Sequence, residues 1–92
     1  MTDENRRQVQ RRRALKEAKV VLSDWAVLDC LIRDVSEAGA RLEFSGATEL
    51  PPQFRVLIVS SDLLYPAELE WQRGLAAGVL FTGPGATPSR KF

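Results

Sequence analysis

Between Lys16 and Phe81 the apolar residues of this chain recur at every second position, in short runs broken by turn formers. A period of two places successive side chains on opposite faces of a strand, and no comparably long segment carries the 3.6-residue period of a helix. Ala18, Val20 and Leu22 share one phase. Ala26, Leu28, Cys30 and Ile32 form the next, with Trp25, Val27, Asp29, Leu31 and Arg33 on the other face. Ala40, Leu42 and Phe44 follow. Phe54 to Val59 is nearly continuous in its apolarity, which predicts burial on both sides. Ala67, Leu69 and Trp71 are expected inward, with Glu68, Glu70 and Gln72 outward, and Ala77, Val79 and Phe81 form the last inward phase. Ser23-Asp24, the stretch from Asp34 to Gly39, Ser45-Gly46, Ser60-Ser61-Asp62 and Arg73-Gly74 supply the breaks, and Pro51-Pro52 cannot donate to a central ladder. Some six short strands leave unpaired edges unless the sheet closes. The predicted fold is therefore all-β, a small six-stranded antiparallel β-barrel with a flexible basic N-terminal arm. The expected divisions are the arm at 1–15, the barrel at 16–82 and a flexible C-terminal tail at 83–92.

Composition narrows the function. The chain of 92 residues is long enough for one core and too short for two. It has no histidine and a single cysteine, Cys30, which removes the commonest general base, leaves zinc and transition-metal sites poorly supported and excludes an internal disulfide. No apolar run approaches the roughly 20 residues that span a bilayer, and the polar first residues carry no secretory signal. The expectation is a cytoplasmic binding domain without metal or cofactor, inserted in no membrane and not an enzyme. Net charge is +1, unevenly placed. Residues 1–19 hold seven basic side chains against three acidic ones, so a basic arm precedes a mildly acidic body and favours an anionic partner.

Two motifs stand out. Arg7 and Arg11 are the only arm arginines four residues apart, and Asp34, Ser36 and Gly39 form D-x-S-x-x-G. A guanidinium offers a planar fork that grips a phosphate, binds the O6/N7 edge of guanine or stacks on a purine. Asp34 can accept from guanine N1–H and N2–H or hold an arginine, Ser36 can donate to a phosphate or fix the turn, and Gly39 permits positive φ or a close backbone approach. Each motif alone also reads as structure, a solvated basic tail and an ordinary hairpin turn closed by glycine.

Together they resemble the PilZ domain. Beyond the two motifs, the run Arg13 to Val20, the continuation Gly39-Ala40-Arg41-Leu42, Trp71, and Gly78-Val79-Leu80-Phe81 are similar to that family, over roughly residues 6–82. The resemblance implies a bacterial receptor for the second messenger cyclic di-GMP, whose arm wraps the ligand against the barrel. Carried over by position, Arg7 and Arg11 would contact guanine edges and phosphates, and Asp34, Ser36 and Gly39 would line the opposing wall. Arg12 and Arg41 are additional candidates, since the run Arg11-Arg12-Arg13 leaves the register of the second arginine open. Gln10 and Arg12 stand beside Arg11 where many members carry a proline, and the tail shows no counterpart to the family's C-terminal helix. A chain this short would signal through an effector protein. The alternative is a degenerate PilZ-like adaptor that binds protein and no nucleotide. A nucleic-acid binder is disfavoured because no aromatic residues are interleaved with the arginines.

Overall fold

The computed structural model describes residues 12–23 and 26–89. Six strands, β1 (Arg12–Val21), β2 (Val27–Val35), β3 (Gly39–Glu43), β4 (Gln53–Ile58), β5 (Leu63–Arg73) and β6 (Ala76–Phe81), close into a barrel in the order β1-β2-β3-β6-β5-β4. Every neighbouring pair is antiparallel, so closure satisfies the edges that the strands would otherwise expose. No helix long and apolar enough to cross a membrane occurs among the described residues.

The predicted inward phases, joined by one face of β4, build the core. Val20, Ile32, Leu42, Val56, Ala77 and Val79 are essentially inaccessible, and Ala18, Cys30, Ala40, Phe54, Ile58 and Ala67 pack with them. The connection from β3 to β4 plugs one end: Phe44 and Leu50 are buried, and the Gln72 side chain donates to the Thr48 carbonyl (2.6 Å) and accepts from Leu50 N (3.3 Å). The start of β1, the β2–β3 turn and the end of β6 gather at the other end, as alternating strand direction requires.

Four expectations change. Phe54–Val59 is not sealed on both faces, because Arg55 and Val59 are exposed, and of its outward residues Leu57 is buried. Trp71 is not inward. The β5–β6 register slips between Leu69 and Trp71, so Trp71 pairs with Gly78 on the outer face and Gln72 takes the inward place opposite Ala77. A Cβ at Gly78 would strike the Trp71 indole, so glycine here is the seat of that ring. The barrel also begins earlier than Lys16, since Arg12–Leu15 belong to β1. Arginines show no apolar alternation, and pairing with β2 decides the boundary. Residues 83–89, expected as loose tail, return along β5: Leu64 and Ala86 exchange backbone hydrogen bonds of 2.8 and 3.0 Å, and Thr82 N donates to the Pro66 carbonyl. Pro66 therefore turns its missing donor toward the tail and away from β4, which lets it sit within β5. Leu22 is only partly buried, and the expectations for Trp25 and Phe92 lie outside the described residues.

Cys30 is buried among the inward residues as expected, and burial, reinforced by Asp29, pushes its thiol up to about 12 from 9.0. The folded value lies above the unfolded one, so the protonated thiol contributes stability that is complete below about pH 9 and lost between about 9 and 12. Wild type should lose up to about 1.4 kcal/mol per pH unit across that window relative to Cys30→Ala in urea unfolding. Parallel losses in the two proteins would show that the thiol is not linked to folding.

Candidate functional site

The D-x-S-x-x-G segment forms the end of β2, the turn and the start of β3. Ser36 N donates to the Gly39 carbonyl (2.9 Å), and Ala38 N donates to Ser36 Oγ (3.2 Å), so the serine hydroxyl closes the turn locally. Phe81 N donates to the Ala38 carbonyl (2.8 Å), tying the turn to β6. Gly39 is not at positive φ; among the described residues only Asp62 and Gly74 are. A Cβ at Gly39 would overlap the Val79 carbonyl oxygen, so the close approach its sequence position suggested is made to the backbone of β6.

Asp34 reaches the outer face through a register slip. Simple alternation from Ile32 would turn it inward, where a carboxylate would lose its hydration. Between Ile32 and Asp34 the β2–β3 register shifts by one residue, and Asp34 lands opposite Arg41. Such a bulge re-aims a side chain without ending the ladder. Arg41 Nε then lies 3.5 Å from Asp34 Oδ2, with the carboxylate side chain 16% exposed and the guanidinium 48%. Arg33 answers Glu43 instead, at 2.8 Å.

Arg41 pairs across β3–β6 with Gly78, over which Trp71 lies, and Arg73 Cζ stands 5.9 Å from the Trp71 ring centroid. Asp34, Arg41, Trp71 and Arg73 thus form a strip of acid, base, aromatic ring and base on one side of the barrel. Sequence reasoning placed Trp71 in the core and so missed its outward ring. The available signal was Gly78, a glycine amid β6 residues Ala76–Phe81 where a side chain would obstruct a neighbour.

β1 begins beside the D-x-S-x-x-G turn. Arg12 pairs with Val35 and Arg13 with Asp34, so the chain enters the barrel directly beside the turn. Arg7 and Arg11 lie outside the described residues, as does the expected flexible arm through residue 11; of Arg12 only the backbone position is described. Among the described residues the structure brings together Asp34, Ser36, Gly39 and Arg41, with the backbone of Arg12 adjoining them. No group of three or more His, Cys, Asp or Glu side chains able to hold a metal occurs among them.

What the arrangement offers chemically is a polar, mixed-charge wall. Asp34 can accept from guanine N–H groups, Arg41 can answer a phosphate or a purine edge, and the turn presents its Ser36 hydroxyl. No protein-family model matches the chain, and no curated protein matches it at significant similarity.

Proposed function

We propose that the chain is a PilZ-like receptor domain that binds cyclic di-GMP between its basic N-terminal segment and the Asp34–Gly39 turn, and signals to a partner protein in the bacterial cytoplasm. The observation that carries the reading is the β1–β2 register: Arg12 is opposite Val35, so Arg11 is joined to a residue already paired with the turn. Two arginines on such a segment supply forks for guanine edges and phosphates, and Asp34 with Ser36 supplies the facing acceptor and donor. Ligand binding, not catalysis, is the role for which these groups suffice.

Calorimetric titration of the full chain with cyclic di-GMP, against GTP and cyclic di-AMP, tests the reading. Saturable heat is expected with cyclic di-GMP only. Asp34→Asn should weaken binding by about 1–3 kcal/mol, the size of a bidentate base contact. Its effect on stability should stay near ~1 kcal/mol, because the ion pair it weakens is a 3.5 Å contact to a half-exposed guanidinium. Absence of heat with wild type would overturn the receptor reading.

A second reading has its own observation. Asp34 is engaged by Arg41, Ser36 by Ala38 N, and Gly39 is demanded by Val79, so every described motif residue has an intramolecular role. On that reading the chain is an adaptor that binds protein without nucleotide, and the same titration returns no heat.

A further inference from the structure

We propose that the outer face of β1, β2 and β3 docks a basic, leucine-bearing helix of a partner protein. The inference rests on the receptor reading only in supposing an output partner, and the adaptor reading needs the same surface. An open groove of about 760 Å³ lies there, lined in part by Glu17, Lys19, Asp29, Leu31, Glu43 and Val59. Its geometry follows from register. Val59 N donates to the Glu17 carbonyl, Glu17 pairs with Leu31, and Leu31 pairs with Glu43. Perpendicular to the strands, the row therefore reads apolar, acidic, apolar, acidic.

The apolar members are not spent on the core: Leu31 is 41% exposed and Val59 38%. Neither are all the charges spent. Asp29 is answered by Lys19 at 2.8 Å and Glu43 by Arg33 at 2.8 Å, whereas Glu17, between the two apolar side chains, has no ion pair among the described residues. It acts on Lys19 only through space.

The spacing selects the occupant. Strands lie about 4.8 Å apart, so Val59 and Leu31 are separated by roughly 9.6 Å with Glu17 midway. Residues i and i+7 of an α-helix are about 10.5 Å apart on one face, with i+3 and i+4 midway. A helix crossing the strands sets leucines at i and i+7 on Val59 and Leu31, a lysine or arginine at i+3 or i+4 on Glu17, and another near i+11 toward Glu43. Nucleic acid is not favoured, since the cations Lys19 and Arg33 are already taken by Asp29 and Glu43 and Glu17 remains as the unanswered charge. β1 supplies Glu17 and Lys19 to the groove and begins beside the Asp34–Gly39 turn, so the two surfaces share one strand.

The test is a chemical-shift titration of the full chain with a capped helical peptide bearing Leu at i and i+7 and Lys at i+3, i+4 and i+11. A control peptide carries Glu in place of Lys. Shifts are expected at Glu17, Leu31, Glu43 and Val59, with the control at least tenfold weaker. Leu31→Asp and Glu17→Lys, both at exposed positions, should each weaken the lysine peptide at least tenfold. Absent shifts, shifts mapping elsewhere, or equal binding of both peptides would overturn the proposal. So would a dimer in sedimentation that Leu31→Asp dissolves, since the occupant would then be a second copy. Titrating Leu31→Asp with cyclic di-GMP separates the two readings: nucleotide binding should survive there, and a wild type that takes the peptide but no nucleotide leaves the groove standing while the receptor reading falls.

Discussion

Gly39→Ala should destabilise the barrel by on the order of 3 kcal/mol or leave it unfolded. The added carbon would overlap the Val79 carbonyl oxygen and lie 3.1 Å from Val79 C and 3.2 Å from Leu80 Cα. All three are backbone atoms, so no side chain can swing aside. Relief requires β3 and β6 to part at the Gly39–Leu80 pair, where Phe81 N also reaches the Ala38 carbonyl. Each backbone hydrogen bond lost there removes about 1 kcal/mol, and separation also exposes the buried pair Ala40 and Val79. Gly46→Ala is the control, because nothing lies within 4 Å of a Cβ there. Urea unfolding should leave the control within ~0.5 kcal/mol of wild type. A Gly39→Ala protein equally close would refute the packing account. The result also bears on function: loss of nucleotide binding in a Gly39 variant reports loss of the barrel, not loss of a ligand contact.

The second large effect is expected on binding. Arg7→Ala and Arg11→Ala should each lower affinity for cyclic di-GMP by about 1–3 kcal/mol, roughly tenfold to more than a hundredfold, if each guanidinium makes a bidentate contact. Thermal melting of each variant, run beside the titration, separates a lost ligand contact from a lost fold. Arginines acting on different groups of the ligand would make the double variant lose close to the sum, and arginines sharing one group would make it lose less. Arg12→Ala decides the register: a loss as large as that of Arg11→Ala would move the second arginine of the motif by one residue. Unchanged affinity in Arg7→Ala and Arg11→Ala alike would refute their assignment.

How far the sequence carried depends on which physical signal each residue emits. Apolar alternation is written in the chain because each strand buries one face, and Val20, Ile32, Leu42, Ala77 and Val79 were all identifiable from phase alone. Closure into a barrel followed from the cost of leaving short strands unpaired. The turn at Asp34–Gly39 was legible because its residue types hydrogen-bond their own backbone. Two misreadings share one cause: Trp71 and Gln72 follow a register slip, and beyond a slip, phase counted along one strand points to the wrong face. The slip is decided by the neighbouring strand. For the same reason the start of β1 at Arg12 escaped notice, as did the return of residues 83–89 along β5: both depend on partners distant in sequence, Val35 and Leu64.

Local chemistry by itself determined that this chain is all-β, that six strands close on one apolar core, and that Asp34–Gly39 is a turn. Long-range pairing alone decided that Asp34 faces Arg41, that Gly39 is held by Val79, that Trp71 lies outside over Gly78, and that Val59, Glu17, Leu31 and Glu43 stand in one row. The physical reason is that a residue's face is set by local geometry, whereas its neighbours across a sheet are set by where other strands come to lie.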